Sequence, residues 1–410
     1  MSTFDLSVLF FLQLTVILAT CRLSGLVAKR FGQPLVVAEM IAGVLLGRSV
    51  FGLFAPGIQQ ALFPKESMSI LFAVSQVGLA IYMFLVGLEF RADLFRARAR
   101  AGAAVSIAGM ATPFLLGAVF AHHLLGRGGY FAAGVSATEA MMFLGASMCI
   151  TAFPMLARII REQGLTATSF GTLALAAGAI DDAAAWCVLA LVLASFGGDW
   201  FIAVKAIGGG ILYAAVVLGF GRIVFRRFES ATLAAGTVSP AILTSAMMCL
   251  MAGAWITDSI GIYAVFGAFI MGAAIPRGKF ADTIQAQIEP LTIGLLLPLF
   301  FTYSGLNTRL DLVNTPTLWL MAVIALLLAT LGKGFACWAA ARLSGQNNRD
   351  AMGIGTLMNA RGLMELIILN IGLQKGVITH ALFSIMVLMA VVTTLMATPL
   401  FHRVYGKPAR

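Results

Sequence analysis

The stretch Gly178-Ala-Ile-Asp-Asp-Ala-Ala-Ala-Trp186 places two adjacent carboxylates, Asp181 and Asp182, in an otherwise apolar segment. The apolar run around them extends from about residue 169 to residue 196. At about 1.5 Å per residue, a helix of that length crosses a lipid bilayer and holds both carboxylates near its centre. An aspartate at that depth costs roughly 2.5–3.5 kcal/mol on the insertion scale, so a sequence that keeps two is expected to use them for function.

The composition assigns the whole chain to the membrane. Of 410 residues, 60% are hydrophobic and 11% are charged, whereas a soluble domain has roughly 25% charged residues. The net charge of +10 comes from basic residues in short loops, with no basic, aromatic-interleaved face, so no nucleic acid partner is expected. The sequence has no His-Glu-x-x-His, Gly-x-Ser-x-Gly or paired-cysteine signature, so neither an enzyme nor a cofactor is predicted.

Hydropathy predicts an all-α polytopic protein with about thirteen transmembrane helices. The loops alternate between a side rich in lysine and arginine and a side poor in them, so the carboxyl terminus is predicted to be cytoplasmic and the amino terminus outside. The amino-terminal segment lacks the basic start of a secretory signal and is interpreted as a retained first span. The expected location is the plasma membrane, for a bacterial protein the inner membrane.

Two groups of three spans are predicted to run in opposite senses. They are spans four to six, at roughly residues 101–124, 137–160 and 169–197, and spans eleven to thirteen, at roughly 315–341, 350–374 and 379–402. The first group starts from the predicted cytoplasmic side and the second from the outer side. Inverted repeats of this kind place a binding site near the midplane, where interrupted helices meet.

The middle span of the first group contains a candidate interruption. The stretch Ser147-Met-Cys-Ile-Thr-Ala-Phe-Pro154 ends in Pro154, whose ring is incompatible with a straight helix. The proline is expected to free backbone carbonyls upstream, near Cys149 and Ile150. Broken backbone at membrane depth is tolerated only where it lines a cavity or is buried in protein.

The middle span of the second group contains a cluster of polar side chains. In Met358-Asn-Ala-Arg-Gly-Leu-Met-Glu365, the amide of Asn359, the guanidinium of Arg361 and the carboxylate of Glu365 lie within an apolar helix. This predicts a second interruption. Arg361 and Glu365 are spaced i, i+4, so a purely local ion pair between them remains an alternative to a role in transport.

Lys333 is a third charged residue expected inside the membrane. It lies about nine residues from the predicted cytoplasmic end of span eleven, too deep for its ammonium to reach the interface easily. A buried lysine favours pairing with a carboxylate, and Asp181 or Asp182 is the expected partner. Since neighbours on a helix point about 100° apart, one carboxylate can face the lysine while the other faces a cavity. A packing role for Lys333, paired with a loop acid, remains open.

Several stretches together resemble a known family over nearly the whole chain. They are Gln33–Gly47, Val77–Glu89, Thr151–Arg158 and Asn359–Gly372. With the Asp-Asp pair and the lysine, they resemble the monovalent cation:proton antiporters. The similarity is specifically to the second cation:proton antiporter family, which includes bacterial sodium/proton and potassium/proton exchangers and plant cation/proton exchangers.

The resemblance implies a role for each of the singled-out residues. Asp182 corresponds to the acid that binds the transported cation or the competing proton, and Asp181 corresponds to a preceding acid found in electrogenic exchangers. Lys333 corresponds to the lysine that pairs with that first acid in the cation-free state. Thr151 corresponds to the break that supplies cation ligands, so the metal-ion ligands implied are Asp182 and Thr151. The crossing region corresponds to Pro154, Asn359, Arg361 and Glu365.

The resemblance also implies domains and a mechanism. A mobile core of residues 101–197 and 311–402 would work as an elevator against a dimerising scaffold of residues 1–100 and 198–310, with 403–410 as a cytoplasmic tail. The implied function is the exchange of sodium or potassium for protons, electrogenic, by a homodimer in the lipid bilayer. The alternative is a sodium-coupled organic-anion symporter of similar architecture, which would bind an organic solute and gain little from an Asp-Asp-Lys cluster.

Overall fold

The computed structural model describes residues 2–31, 33, 35–89, 92–165, 168–197, 200–235, 238–306 and 310–406. Within them the regular structure is helical, apart from one isolated antiparallel bridge between Phe131 and Ile378. The α-helices are α1 Thr3–Arg30, α2 Leu35–Leu46, α3 Phe51–Phe54, α4 Pro56–Leu62, α5 Lys65–Glu89, α6 Ala92–Leu125, α7 Ala137–Cys149, α8 Phe153–Glu162, α9 Ser169–Gly197, α10 Trp200–Val216, α11 Arg222–Ala235, α12 Pro240–Ile260, α13 Ala264–Ala274, α14 Lys279–Leu291, α15 Leu297–Leu306, α16 Pro316–Leu343, α17 Asn348–Leu357, α18 Leu363–Gln374 and α19 His380–Tyr405. This confirms the predicted all-α class.

Nine helical stretches of the described chain are long and apolar enough to cross a membrane. They are Thr3–Arg30, Leu35–Phe54, Lys65–Glu89, Arg100–Leu125, Val204–Ser230, Pro240–Ile260, Lys279–Leu312, Pro316–Leu343 and His380–Tyr405. The predicted spans at 137–160 and 350–374 coincide with the interrupted pairs α7/α8 and α17/α18, and the one at 169–197 coincides with α9. At about 1.5 Å per residue, the 11 residues of α13 are too few to cross a bilayer alone.

One compact unit consists of Met1–Ala19, Ala61–Arg91 and Gly197–Tyr303. Within it, α5 and α13 approach so closely that their backbones touch. A Cβ added at Gly87 would overlap the backbone of α13, and one added at Gly272 would overlap the backbone of α5. Small residues at both positions therefore permit this contact, as is usual between helices in membranes.

The other compact unit consists of Thr20–Gln60, Ala92–Phe196 and Ser304–Arg410, and it contains both interrupted helices. Residues 20–60, which the sequence analysis assigned to the scaffold, group with this unit. Which residues move during transport stays a prediction.

Helices α6 and α16 pack against each other in opposite directions. Gly109 of α6 lies against Cys337, whereas Leu116, further along α6, lies against Gly332, which is earlier in α16. Since α6 begins the first predicted group of spans and α16 begins the second, this antiparallel packing is what an inverted repeat requires.

Both predicted helix interruptions are present. The first lies between Cys149, the last residue of α7, and Phe153, the first residue of α8. The second lies between α17 and α18, at residues 358–362. The two breaks are joined directly, because the backbone N–H of Ala152 donates a hydrogen bond to the carbonyl of Ala360 at 3.2 Å.

Pro154 is the second residue of α8, and the break lies just upstream of it, near Cys149 and Ile150, as expected. The first turn of a helix tolerates proline, because the N–H that proline lacks would have no partner within the helix there. The proline therefore starts the second half-helix, and residues 150–152, which are not helical, form the break itself.

A proline inside α19 removes one backbone hydrogen bond of that helix, and a side chain of the same compact unit replaces it. Pro399 lies inside α19 and has no N–H to donate to the carbonyl of Leu395, four residues earlier. The side-chain amide of Gln33, which precedes α2, donates to that carbonyl at 3.1 Å. Gln33 therefore satisfies a backbone group that would otherwise be unpaired in an apolar environment.

Replacing Gln33 by alanine is expected to lower the free energy of unfolding by about 1 kcal/mol, the net worth of one hydrogen bond. In a Pro399→Ala background the same replacement should have little effect, because the alanine introduced there has an N–H that can reach the carbonyl of Leu395. A double-mutant cycle of unfolding free energies in mixed micelles measures this coupling.

The matched control is Pro113→Ala, which removes the proline inside α6. Its effect should add to that of Gln33→Ala without coupling. An equal cost for Gln33→Ala with and without Pro399 would contradict the assignment.

Candidate functional site

Asp181 of α9 is fully buried and accepts hydrogen bonds from three different elements. The hydroxyl of Ser106, on α6, donates to its Oδ1 atom at 2.5 Å. The hydroxyl of Thr151, in the first break, donates to its Oδ2 atom at 2.5 Å. The ammonium of Lys333, on α16, lies 3.2 Å from the same Oδ2 atom. Both oxygens of this carboxylate are therefore satisfied.

Lys333 is also fully buried, and its ammonium has a second partner in the first break. It donates a hydrogen bond to the backbone carbonyl of Cys149. Because α7 ends at Cys149, this carbonyl has lost its helical partner and is free to accept. The carbonyl and the carboxylate together compensate much of the cost of removing the ammonium from water.

Asp182, the next residue of α9, has a different environment. It is also buried, but its Oδ1 atom has no hydrogen-bond partner among the described residues. A buried carboxylate oxygen without a donor is costly, and it marks a place for a ligand or a proton. The two adjacent aspartates therefore differ sharply: one is fully bonded and the other has an unsatisfied oxygen.

The second break holds a buried cation with few partners. Arg361 is fully buried, and its guanidinium makes no hydrogen bond to any described residue. The nearest opposite charge is Glu365, whose Oε2 atom lies 3.6 Å from its Nη1 atom. The hydroxyl of Thr394, on α19, accepts from the backbone N–H of Arg361 at 3.0 Å and lies 2.9 Å from its carbonyl oxygen. The backbone of the break is therefore held more firmly than the guanidinium.

Asn359 lies in the same break, and only one of the two polar atoms of its side-chain amide has a hydrogen-bond partner among the described residues. Its Nδ2 atom donates to the carbonyl of Gly355 at 2.9 Å. Its Oδ1 atom is buried and has no hydrogen-bond partner in the described part of the chain. The second break therefore contributes one unsatisfied oxygen, as Asp182 does in α9.

The structure brings together three of the predicted site residues, Asp181, Thr151 and Lys333. The hydroxyl of Thr151, which the sequence led us to expect as a cation ligand together with Asp182, donates to Asp181. Its oxygen keeps lone pairs that can still contact a cation. The predicted crossing residues Asn359, Arg361 and Glu365 lie in or beside the second break. The side chain of Pro154 is not among those that the structure describes.

Sequence reasoning missed two residues of the site, Ser106 and Thr394. Both are single hydroxyls in apolar helices, where serine and threonine usually bond a carbonyl of their own helix. Nothing in the sequence distinguishes these two from the many others of that kind. Only the packing of α6 against α16, and the position of α19 beside the second break, give them their partners.

The fold and the site together define a class of protein. Two interrupted helices meet within a multi-span bundle, and buried charges lie at the breaks. Charged side chains and broken backbone occur at membrane depth where ions or solutes cross. This arrangement is that of an ion-coupled membrane transporter.

A family comparison agrees with this class. The model of the transmembrane sodium/hydrogen exchanger family matches residues 15–404. The chain belongs to the sodium/hydrogen exchanger family, and it is an integral multi-pass membrane transporter, not an enzyme. The resemblance to the monovalent cation:proton antiporters is thereby confirmed.

Individual relatives include proteins named for either cation. The chain is 38% identical to the Na(+)/H(+) antiporter NhaS4 of Synechocystis sp., over 96% of both chains. It is 27% identical to the Na(+)/H(+)-K(+) antiporter GerN of Bacillus cereus, over 97% of this chain and 96% of GerN. It is 30% identical to the K(+)/H(+) antiporter 1 of Saccharomyces cerevisiae, over 97% of this chain. That match covers only 46% of the yeast protein, so the chain spans about half of its length.

The fold is that of a solved antiporter. The chain superposes on the sodium proton antiporter MjNhaP1 of Methanocaldococcus jannaschii with a TM-score of 0.67, over 95% of this chain and 96% of that one. At 14% sequence identity, this likeness concerns the fold alone. It confirms the predicted antiporter fold with two discontinuous helices.

Arg361 and Glu365 allow a test of how the second break is stabilised. Glu365→Gln is expected to destabilise the protein by about 3–5 kcal/mol, because it leaves a buried guanidinium without a counter-charge. The double variant Arg361→Met, Glu365→Leu should lose less, since it buries no charge at this pair. Unfolding in mixed micelles measures both.

The unfolding free energies of the two variants show whether Glu365 balances the charge of Arg361. A double variant that is less stable than Glu365→Gln would contradict a charge-balancing role. The control is Glu66→Gln, at an exposed position in the first turn of α5. It measures the effect of the same Glu→Gln change where no buried charge depends on the carboxylate.

Proposed function

We propose that this chain exchanges sodium or potassium for protons and that both compete for the carboxylate of Asp182. The observation that carries the proposal is the contrast between the two aspartates. Both oxygens of Asp181 have at least one donor, whereas the buried Oδ1 atom of Asp182 has no donor among the described residues. An oxygen in that state can take either a proton or a cation.

A cation at Asp182 would need further oxygen ligands, since alkali ions are hard and prefer several oxygens. The lone pairs of the Thr151 hydroxyl and the carbonyls of Ile150 and Thr151 are the candidates at the first break. The Oδ1 atom of Asn359 is a further candidate from the second break, because it is buried and unsatisfied in the described chain. All of these ligands are neutral, so the negative charge would come from Asp182, joined by Asp181 if Asp181 separates from Lys333.

Coupling of the cation flux to the proton flux follows from the cost of moving an uncompensated charge through the membrane. A core whose Asp182 is empty and ionised would carry an uncompensated carboxylate past an apolar barrier, which is expensive. A proton or a cation removes that charge and permits the movement. Elevator movement of residues 101–197 and 311–402 against the remaining spans is part of this proposal, and so is the assembly as a homodimer.

The pair of Asp181 and Lys333 determines, on this proposal, how many protons are exchanged for each cation. Together they are neutral when paired, and their contact is 3.2 Å long. If a cation at Asp182 draws Asp181 away from Lys333, the lysine loses its counter-ion and can release a second proton. Two protons would then exchange for one cation, so that transport would be electrogenic.

The relatives support both ions as substrates. They are named as sodium/proton, potassium/proton and mixed sodium and potassium antiporters. We therefore propose sodium or potassium without a preference between them. We further propose that the protein lies in a bacterial inner membrane. The charge pattern of the loops supports an amino terminus outside the cell and a carboxyl terminus in the cytoplasm.

Antiport is tested in vesicles that contain the purified protein and an internal pH dye. With a pH gradient imposed, sodium or potassium should collapse the gradient for the wild type. Asp182→Asn should abolish the collapse, because an amide binds neither a proton nor a cation with the strength of a carboxylate. Asp282→Asn, at an exposed position in the first turn of α14, is the matched control and should transport normally.

The outcomes separate the proposals. Collapse by one cation but not the other names the ion. No collapse by either ion between about pH 6 and 9, or equal activity in Asp182→Asn, would refute Asp182 as the shared site.

Electrogenicity is tested in the same vesicles with the membrane potential clamped by potassium and valinomycin and with sodium as the driving ion. Two protons per cation predict that the rate of proton movement changes when the sign of the potential is reversed. Electroneutral exchange would give the same rate at both signs. Equal rates would contradict the two-proton scheme and leave the antiport itself standing.

A further inference from the structure

Thr394 is a buried residue of α19 whose hydroxyl holds the backbone of the second break. Its oxygen accepts a hydrogen bond from the backbone N–H of Arg361 at 3.0 Å. The hydroxyl proton has two carbonyls within reach, that of Ala390 in the same helix at 2.8 Å and that of Arg361 at 2.9 Å. Whichever carbonyl accepts the proton, the oxygen keeps the N–H of Arg361 as its donor.

The N–H of Arg361 belongs to the same peptide group as the carbonyl of Ala360. That carbonyl accepts a hydrogen bond from the backbone N–H of Ala152, in the first break, at 3.2 Å. A trans peptide group is planar and rigid, and its N–H and C=O point in opposite directions. The described chain contains no cis peptide bond. One rigid peptide group therefore connects α19 to the first break, with a hydrogen bond at each end.

The same geometry applies to the next peptide group, which joins Thr151 to Ala152. Its N–H is the one that donates to Ala360, so its C=O, the carbonyl of Thr151, points away from the second break. In the described part of the chain no residue donates a hydrogen bond to this carbonyl. It is one of the oxygens proposed above as a cation ligand. Its direction therefore depends on two peptide groups and on the hydroxyl of Thr394.

The two peptide groups and the hydroxyl are also aligned head to tail. Starting from Thr151, each group donates a hydrogen bond to the next, and the hydroxyl of Thr394 donates in turn to a backbone carbonyl. Hydrogen bonds in such a series polarise one another. The carbonyl of Thr151 is the negative end of the series, which makes its oxygen a better ligand for a cation.

We propose that Thr394 is a positioning residue for the transported cation, because it fixes and polarises the carbonyl of Thr151 through the two peptide groups. This inference rests on the proposed function. A cation at the site would use this carbonyl as a ligand, whereas a proton on Asp182 needs only a carboxylate oxygen. Loss of the Thr394 hydroxyl should therefore weaken the binding of the cation specifically.

The test is the apparent KM for sodium and for potassium in the vesicle assay at one fixed pH. Thr394→Val has nearly the shape of threonine, but it has no hydroxyl and leaves the N–H of Arg361 without its acceptor. The KM for the transported cation should rise about five- to tenfold, the size expected for one lost hydrogen bond. The maximal rate per folded molecule should change less, because a high cation concentration still fills the site.

Two further variants make the result specific. Thr394→Ser keeps the hydroxyl and should keep the wild-type KM. Thr393→Val is the matched control, because Thr393 is the neighbouring residue, is equally buried, and donates to its own helix at the carbonyl of Ala390, 3.0 Å away. A merely structural role of Thr394 would lower the amount of folded protein and the maximal rate, but it would leave the KM unchanged. Thermal melting of each purified variant reports on folding.

A wild-type KM in Thr394→Val would overturn the inference, and so would an equally raised KM in Thr394→Ser or in Thr393→Val. If Thr394→Val does not fold, Thr394→Cys decides, because a thiol is only a weak acceptor. A wild-type KM in that variant has the same consequence. Failure of the proposed function would look different, because the wild type itself would then show no cation-dependent exchange or Asp182→Asn would remain active.

Discussion

Lys333 and Asp181 remain inside a membrane bundle only because each supplies much of what the other has lost by leaving water. Neither side chain is exposed, and their charged atoms lie 3.2 Å apart. A buried pair of this kind stabilises little by itself, but removing one partner is expensive. The surrounding structure therefore has to hold both groups in place, and this requirement organises the bundle around them.

Several features of the fold meet that requirement together. The end of α7 at Cys149 exposes a carbonyl to the ammonium, and the non-helical residues that follow bring the Thr151 hydroxyl to the carboxylate. The close antiparallel packing of α6 on α16 brings in Ser106. The second break is joined to the first by the hydrogen bond between Ala152 and Ala360. Next to this pair, the Oδ1 atom of Asp182 has no hydrogen-bond partner among the described residues, and on the proposed mechanism this is where the transported ion and the proton compete.

Much of the fold could be predicted from the sequence, because charged residues and helix breakers are conspicuous in apolar runs. The all-α class, the two interruptions and the Asp-Asp-Lys cluster all follow from residues of that kind. Other details depend on packing instead. Pro154 starts a half-helix, because a first turn tolerates proline, and the exact ends of the two half-helices are visible only in the structure. The roles of Ser106, Thr394 and Gln33 depend on neighbours that are distant in sequence, so no local pattern could have identified them.

The central claim is that a cation and a proton compete for Asp182, and proton release on cation binding tests it most directly. Purified protein in a weakly buffered detergent solution would be titrated with sodium or potassium chloride while the pH is recorded, with choline chloride as the control salt. The account predicts acidification with the transported cation, none with choline, and none with Asp182→Asn. Binding of the cation by the wild type, detected calorimetrically, without release of protons would contradict it.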